Sequence, residues 1–410
     1  MKRTIVPLGP FHPLLEEAEC YKLYVEGETV VDIDMRIGYM HRGIEKLSQS
    51  KTFDQVPFLV ERICGICSTS HPIAYVNAME DLAGIQIPER AQYIRNIIAE
   101  LERLHSHFLW VGLAGHFIGY DTVFMWAWKY REPILDICEL ISGNRNHYAM
   151  MKIGGVRRDL KEEDFPQIRS MLDGVEKAAN LFTGAVVDDP VIHARTKGVG
   201  ILTKEDAIAY GTLGPTVRGS GIADDIRRDD PYAAYNKVDW NVITWEGGDV
   251  FAKAAVRLLE NFESIKIIRQ SLDQMRPGPI ETEVKAIPPG EGVGHAEAPR
   301  GEVFHYVRSD GSSSPVRHKV RAPSFSNIPS FKATCVGETI ADVALISAAV
   351  DPCYCCTERM AVVERRTDNV LMTGADLVRM SRERTKQIKA DLGQETPLDK
   401  LAKRLQKGDL

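Results

Sequence analysis

The chain has 410 residues, of which 26% are charged and 44% hydrophobic. This composition is that of an ordinary globular protein and excludes a disordered or fibrous class. The formal net charge of −6 argues against nucleic acid as a general partner, because no basic excess can neutralise phosphates. At this length, two or three domains or one large catalytic body are expected.

The sequence contains no segment that predicts a membrane span. The longest apolar stretch, residues 108–120, contains His116 and is too short to cross a bilayer. Residues 1–10 lack the apolar core of a secretory leader. These features predict a cytosolic chain, which other subunits could hold at a membrane.

The first predicted elements are a hairpin and long helices. Residues 21–25 and 30–34 are β-prone and flank a Glu-Gly-Glu turn, which predicts a β-hairpin. Apolar residues recur every three or four positions in 91–113 and 125–150, with Glu, Arg and His on the other faces, as in amphipathic helices. Two further helices are predicted over residues 164–182 and 248–275.

The pattern changes after residue 277. Residues 277–329 are rich in Pro and Gly and include the β-prone segment 303–307. An apolar helix is predicted over 339–350. The polar tail that follows contains a predicted helix over 375–392.

Two cysteine pairs lie near opposite ends of the chain. Cys64 and Cys67 are three residues apart, as are Cys353 and Cys356. Thiolates at this spacing converge on one soft transition metal, so the two pairs predict a nickel, iron or zinc site. Spacing alone leaves a structural zinc site open. The intervening Cys355 is expected to point away from this site.

The motifs around these pairs resemble those of [NiFe]-hydrogenase large subunits. Arg-Ile-Cys-Gly-Ile-Cys at 62–67 and Asp-Pro-Cys-Tyr-Cys-Cys at 351–356 resemble the paired signatures of that family. Other motifs follow in the family's order and extend the likeness to Arg359: Gly-Pro-Phe-His-Pro at 9–13, Arg-Gly-Ile-Glu at 42–45, Glu-Ala-Pro-Arg-Gly at 297–301 and Ala-Pro-Ser-Phe at 322–325.

Within the family, the chain resembles the membrane-associated, energy-converting branch (group 4). That branch is related to the quinone-site 49-kDa-type subunit of respiratory complex I, with which the chain shares Gly-Gly-Val-Arg at 154–157 and Arg-Gly-Ser-Gly at 218–221. Complex I subunits lack the four cysteines, so the cysteines favour hydrogen chemistry. The resemblance implies an α+β, mainly helical fold: a helical bundle with β elements near both ends.

Four regions are expected. Residues 1–50 would form the hairpin region with a proton-relay motif, and 51–276 the helical bundle with the first cysteine pair. Residues 277–359 would hold β structure, the last helix and the second pair. Residues 360–410 would be a C-terminal extension, which a maturation protease could remove by cutting after Arg359.

The resemblance implies a role for each cysteine of the pairs. Cys64 and Cys353 would be terminal nickel thiolates, and Cys67 and Cys356 would bridge to an iron that also carries CO and two cyanides. The Cys353 thiolate would act as the base in H2 cleavage, and Glu17 would carry the proton away, with Glu16 as its rival. Without the resemblance, the local sequence would predict that these glutamates are ordinary acids exposed to solvent.

Further residues are assigned by the same resemblance. Arg300 and Ser324 would donate hydrogen bonds to the cyanides, Pro323 would restrict the backbone there, and His71 would hydrogen-bond the bridging sulfur. Taken alone, each has an ordinary structural interpretation, such as a loop arginine, a turn serine or a helix-capping histidine. Glu45 resembles a ligand of a separate Mg or Fe site, but Arg359 stands where many relatives have a histidine ligand.

The implied reaction is reversible H2 cleavage, H2 = 2 H⁺ + 2 e⁻. The chain has no further cysteine set for an iron–sulfur cluster, so a small subunit carrying a [4Fe-4S] cluster is expected. Ferredoxin or a ferredoxin-like subunit would exchange electrons, and ion-translocating membrane subunits would anchor the chain peripherally on the cytoplasmic side. The alternative is a coupling or quinone-site subunit like that of complex I.

Overall fold

The computed structural model of the protein describes residues 3–13, 15–357, 361–363 and 369–392. The strands are β1 (Thr4–Leu8), β2 (Cys20–Glu26), β3 (Thr29–Arg36), β4 (Met151–Lys152), β5 (Gly155–Val156), β6 (Gly290–Ala298), β7 (Gly301–Ser309), β8 (Arg317–Arg321), β9 (Ala361–Val363) and β10 (Val370–Thr373). The helices are α1 (Ile44–Ser48), α2 (Val56–Val60), α3 (Ser70–Ala83), α4 (Glu89–Phe117), α5 (Asp121–Ser142), α6 (Phe165–Asp188), α7 (Pro190–Thr196), α8 (Lys204–Ala209), α9 (Pro215–Arg218), α10 (Ile226–Asp229), α11 (Val250–Gln274), α12 (Pro323–Asn327), α13 (Phe331–Cys335), α14 (Ile340–Val350) and α15 (Gly374–Leu392).

The N-terminal sheet confirms the predicted hairpin. Strands β2 and β3 pair antiparallel around a turn at Gly27, and β1 adds to the other edge of β2. Tyr21, Leu23 and Val25 alternate with more exposed neighbours and are buried. This apolar face packs with residues of α13 and α14, so the sheet is anchored to the segment that leads into the second cysteine pair.

Helix α4 lies at the centre of the bundle, in contact with α5, α11 and α14. The amphipathic pattern predicted for it is wrong, because its polar side chains are also buried: Glu100, Glu102, Arg103, His105 and His107 have 0% exposure. Glu100 accepts from Arg227 on α10, Glu102 accepts from the backbone of α3, and His107 Nε2 is 2.8 Å from Glu260 on α11. Such partners allow polar residues inside a core. The periodicity therefore predicted the helix but not the burial of its polar face.

Helix α5 ends earlier than predicted. It stops at Ser142 because Gly143 adopts a left-handed conformation, with φ of +80°. Such a residue terminates a helix, and glycine adopts this conformation at little cost. The remaining predicted helices 164–182, 248–275, 339–350 and 375–392 are present with shifts of a few residues at their ends.

A second antiparallel sheet, β6-β7-β8, packs against α3. The predicted strand 303–307 lies within β7. Gly294 on β6 permits the close packing, because a Cβ atom there would lie 2.2 Å from the carbonyl oxygen of Ala74. This approach places the helix that follows the first cysteine pair directly on the sheet.

The described residues form the predicted α+β, mainly helical architecture with β structure near both ends. None of the described helices combines the length and apolar character that a bilayer crossing requires. Arg359 and the predicted cleavage point lie outside the described residues. The four-region division stays a prediction.

Candidate metal centre

The two cysteine motifs meet at the ends of helices. The first pair lies in the loop between a 3-10 turn (Glu61–Ile63) and α3, and the second follows α14. Asp351 ends α14 in a left-handed conformation, with φ of +57°, and turns the chain toward the first pair. As a result, the Sγ atoms of Cys64 and Cys353 are 2.9 Å apart although 289 positions separate them.

Four buried thiols form the tightest group. The Sγ atoms of Cys64, Cys353, Cys355 and Cys356 all lie within 4.8 Å of one another. The expectation that Cys355 points away is therefore wrong: its Sγ is 3.3 Å from that of Cys353. The 3-10 turn Tyr354–Cys356 winds the motif tightly enough to turn all three of its thiols inward.

Cys67 lies beside this group rather than within it. It is buried, and its Sγ is 3.9 Å from Nη1 of Arg300. Its backbone N–H donates to Cys64 Sγ at 3.3 Å, and hydrogen bonding with Cys353 raises the pKa of its thiol. The structure thus brings all four predicted cysteines together and adds Cys355 to them.

The electrostatics of the thiols suit a metal cation. Hydrogen bonding from Cys353 lowers the pKa of Cys64 well below its usual range. The pKa of Cys353 is raised by Cys355, and that of Cys356 by Cys353. One thiolate therefore forms readily, whereas each further thiolate needs a positive charge beside it. Soft sulfur donors in this arrangement fit nickel, iron or zinc.

Arg300 is held by the residue that ends α14. Its Nη2 and Nε donate to Oδ1 and the carbonyl oxygen of Asp351 at 2.6 and 2.9 Å, and its Nη1 donates to Ser106 Oγ at 3.1 Å. The guanidinium is 2% exposed, so its charge acts on the thiols with little screening. The predicted placement of Arg300 beside the cysteines agrees with this geometry.

Pro323 and Ser324 begin α12 next to the second motif. Pro323 occupies the first helical position, where its fixed φ suits a helix start. Ser324 Oγ accepts a hydrogen bond from the backbone N–H of Cys353 at 2.9 Å. A hydroxyl that accepts one bond still has a hydrogen to donate. Ser324 therefore fixes the backbone of Cys353, and its hydroxyl can still donate a hydrogen bond.

Both candidate proton carriers reach the site. Glu17 Oε2 accepts from the backbone N–H of Cys355 at 2.5 Å. Glu16 has an exposed side chain, and partial desolvation of its carboxyl, with the charge of Asp351 adding to the effect, raises its pKa to about 7. Glu17 thus has the closer link to the second motif, and Glu16 has the proton affinity of a group that works near neutral pH.

His71 lies on the first turn of α3. Its Nε2 is 3.5 Å from Cys356 Sγ, and the ring is fully buried. The structure therefore places His71 against the sulfur of Cys356, in the second motif, rather than against that of Cys67, which lies one helical turn before it.

Arg42 is a residue whose role the sequence did not reveal. Its guanidinium donates to the carbonyl oxygens of Arg62 and Ile63 at 2.8 and 2.7 Å and to that of Cys355 at 3.0 Å. It therefore ties the first cysteine motif to the second. The only available signal was its position in the Arg-Gly-Ile-Glu motif, which assigns no contact.

Glu102 also has a structural role that its helix pattern did not indicate. Its carboxylate accepts from the backbone N–H groups of Thr69 and Ser70 and from the Ser70 hydroxyl. A residue of α4 thereby caps the N-terminus of α3, directly after Cys67. This contact fixes where the first cysteine motif ends.

Glu45 has partners other than a metal in the described structure. Its Oε1 accepts from the backbone N–H of Val320 at 3.0 Å, and its Oε2 pairs with Lys319 Nζ at 3.1 Å. Among the described residues, the cysteine quartet is the group of at least three ligating side chains, and Glu45 is outside it. Arg359, at the position of the second expected ligand, lies outside the described residues.

Comparison with protein families gives two matches. Residues 42–113 match the family described as nickel-dependent hydrogenase. Residues 118–287 and 281–359 match the family described as respiratory-chain NADH dehydrogenase, 49 Kd subunit. Together the matched segments contain both cysteine motifs and Arg300.

Individual relatives are found among both hydrogenase subunits and NADH-quinone oxidoreductase subunits. The chain is 40% identical over 410 residues to a membrane-bound hydrogenase subunit alpha of Pyrococcus furiosus, covering 96% of each chain. It is 37% identical over 374 residues to a subunit of the NADH-quinone oxidoreductase of Geotalea uraniireducens, covering 84% of this chain and 96% of the relative.

A solved structure has the same fold. A chain of the membrane-bound sulfane sulfur reductase, an archaeal respiratory membrane complex, superposes with a TM-score of 0.83 at 30% identity and covers 87% of this chain and 98% of its own. The protein therefore belongs to the [NiFe]-hydrogenase large-subunit family, in the membrane-associated branch that is related to the 49-kDa subunit of respiratory complex I.

Proposed function

We propose that this chain is the catalytic large subunit of an energy-converting [NiFe]-hydrogenase that cleaves and forms H2 reversibly. The observation that carries the proposal is the convergence of buried thiols from both ends of the chain beside Arg300. A purely structural zinc site would need the sulfur ligands but neither a buried arginine nor carboxylates at its edge.

Cys64, Cys67, Cys353 and Cys356 would hold the nickel–iron group, and the position of Cys355 makes it a further candidate ligand. When bound, this group supplies Lewis acidity and redox capacity for splitting H2 into two protons and two electrons. The chain's own contribution is to exclude water, to fix the sulfur positions and to conduct the proton.

The proton would leave along the carboxylates at the edge of the site. Cys353 would receive the proton on Sγ, and Glu17 would accept it next, with Glu16 as the rival. Glu17 is linked to the second motif through the backbone of Cys355.

Arg300 and Ser324 would hydrogen-bond the two cyanides of the iron. Both side chains are buried and rigidly held, by Asp351 and by the backbone of Cys353 respectively. Buried acceptors without donors cost about 1–3 kcal/mol each, so such donors are needed around an anionic ligand. His71 would donate to the Cys356 sulfur.

The proposed partners follow from the chemistry. Electrons need a carrier, and the cysteines beyond the thiol group do not cluster in the described residues. We therefore propose a small subunit with a [4Fe-4S] cluster, ferredoxin as the electron partner, and ion-translocating membrane subunits that hold this chain peripherally on the cytoplasmic face. Relatives that are subunits of membrane-bound complexes support this arrangement.

A second candidate function is a coupling or quinone-site role like that of complex I subunits. The 37% identity to a subunit of an NADH-quinone oxidoreductase favours it. The two functions differ in their need for the thiols: a quinone-site subunit would function after their removal, whereas a hydrogenase would not.

Infrared spectroscopy and metal analysis of the purified complex test the proposal. Iron-bound CO and cyanide absorb in a window free of protein bands, so the native complex should show these bands together with nickel. A Cys353→Ser complex should lose both. Matured native complex without nickel and without the bands would leave the quinone-site function, and zinc in their place would indicate a structural metal.

A further inference from the structure

Three buried histidines form a row that leads away from the thiol group. His71 Nε2 faces Cys356 Sγ at 3.5 Å, and His71 Nδ1 is 3.1 Å from His305 Nε2. His305 Nδ1 is 3.0 Å from His318 Nε2, and His318 Nδ1 is 3.0 Å from Ser48 Oγ. All three rings and the Ser48 hydroxyl are inaccessible to solvent.

The second sheet places these rings in line. His305 on β7 pairs with Val320, and His318 on β8 pairs with Val307, so the two histidines are diagonal neighbours on one face. Gly294 lies opposite His305 and lets α3 approach the sheet closely. His71 on α3 therefore meets His305 without an intervening side chain.

The hydrogen bonds along the row must all point the same way. A neutral imidazole donates from one nitrogen and accepts at the other. The rings are neutral at pH 7, since burial lowers the pKa of His71 to about 4 and that of His318 to about 3, and it also lowers the pKa of His305 well below its usual range. A donor at one end of the row thus forces every ring to adopt the matching tautomer, and only two arrangements satisfy all partners.

The far end selects between these arrangements. Ser48 Oγ is 2.8 Å from the Glu45 carbonyl oxygen, to which it donates. It must then accept from His318 Nδ1, so all three rings carry the proton on Nδ1 and His71 Nε2 accepts from a Cys356 thiol. A Cys356 thiolate requires the opposite arrangement, with Nε2–H on every ring and Ser48 donating to His318.

We propose that His305 and His318 are positioning residues of the metal centre: they fix the ring of His71 and determine which of its nitrogens carries the proton that faces Cys356. The inference rests on the proposed function. A donor to a bound thiolate withdraws charge from the sulfur, and partners behind a histidine are what set its tautomer and orientation.

The iron-bound CO and cyanide bands of the purified complex test this role. In His305→Leu, His71 loses its partner and its ordered bond to Cys356, so the sulfur donates more charge and the bands shift to lower wavenumber. His305→Gln keeps an amide in reach of His71, and its shift should be smaller. His295→Leu, on the neighbouring strand and outside the row, is the matched control and should leave the bands unchanged.

Native band positions in a nickel-loaded His305→Leu complex would overturn the inference. If that variant does not assemble, Ser48→Ala decides the question, because it keeps all three rings and removes only the group that ends the row. A shift to lower wavenumber in Ser48→Ala supports the proposal, and native positions contradict it.

A second measurement does not require the metal. Nitrogen-15 spectra of histidine-labelled full-length chain, before metal insertion, should show His71, His305 and His318 all protonated on Nδ1, with each signal assigned by its loss in the corresponding variant. Nε2–H tautomers would contradict the argument. Missing CO and cyanide bands in the native complex would count against the proposed function, whereas the tautomers test the row itself.

Discussion

Arg42 shows how one side chain can hold two distant motifs together. Its guanidinium binds carbonyl oxygens of Arg62, Ile63 and Cys355, and so fixes the distance between the two sets of thiols. Lysine carries the same charge but presents a single ammonium, which cannot reproduce a planar fork of donors. The contact is therefore specific for arginine.

Replacing Arg42 should reduce metal binding at the thiols more than it lowers the stability of the fold. We expect Arg42→Leu to lower the free energy of unfolding by about 1–2 kcal/mol, because these bonds are partly exposed. The nickel content of the purified complex should fall several-fold, and Arg42→Lys should resemble Arg42→Leu. Arg308→Leu, at an exposed ion pair with Glu291, is the control. Native nickel content in both Arg42 variants would show that the bridge is dispensable.

The residues of the site could be predicted to different extents. The cysteines, Arg300, Ser324 and His71 were placed by motifs, and the structure brings them together. The position of Cys355 was not predictable from spacing, because it depends on the 3-10 turn that winds the second motif. Arg42 and Glu102 act on backbone groups of other elements, and such contacts leave no pattern in a single sequence.

At the scale of elements, the site depends on a close contact between two loops. Gly214 precedes α9 and has a φ of +66°, and a Cβ there would lie 2.4 Å from the carbonyl oxygen of Arg300 and 2.5 Å from the N atom of Gly301. Only a residue without a side chain fits this space. The loop before α9 therefore packs directly against the backbone of Arg300 and fixes its position.

Gly214→Ala should consequently displace Arg300. The added methyl group would clash with backbone atoms, and alanine is strained at this positive φ. Together the two effects should lower the free energy of unfolding by about 3 kcal/mol. Urea denaturation measures this loss, and the infrared bands of the assembled complex should shift as the Arg300 contact moves. Gly174→Ala in α6 meets open space and should stabilise the chain by about 0.5–1 kcal/mol. Equal stability of the two variants would contradict the account.

Helix boundaries show what periodicity can and cannot determine. The predicted ends were within two residues of the observed ends in α11, α14 and α15, whereas α6 continues to Asp188, six residues past its predicted end. In α5 the predicted end at residue 150 was wrong because the stop depends on the conformation of Gly143 rather than on hydrophobicity. In α4 the spacing was right, but the polar face is buried by partners from other elements.

At the scale of the whole molecule, buried ion pairs and hydrogen bonds connect α4 with α10, α11 and the turn at Tyr235. Glu100 on α4 accepts from Arg103, from Arg227 on α10 and from the Tyr235 and Ser264 hydroxyls. Burial alone would raise the pKa of Glu100, but the charges of Arg103 and Arg227 outweigh it and lower the pKa to about 2.

This shift predicts how stability depends on pH. Because the folded-state pKa of Glu100 is lowered from 4.5 to about 2, its contribution is complete above pH 4.5 and is lost as the pH falls toward 2. Glu100→Gln should cost about 3–5 kcal/mol near pH 7, since it leaves buried arginines unpaired. The difference from the native chain in urea unfolding should shrink on acidification.

Glu163→Gln provides the matched control for this series, because Glu163 is exposed beside Lys161. It should not change the pH profile. A difference between Glu100→Gln and the native chain that stays constant from pH 7 down to pH 3 would show that the charge of Glu100 is not what stabilises the bundle.

The central claim is that thiols from the two ends of the chain form a centre that cleaves H2. Exchange between D2 and solvent protons measures cleavage directly and does not depend on the electron partner. The nickel-loaded native complex should release HD, and a complex with Cys353→Ser should release none. A native complex that contains nickel but forms no HD would contradict the account.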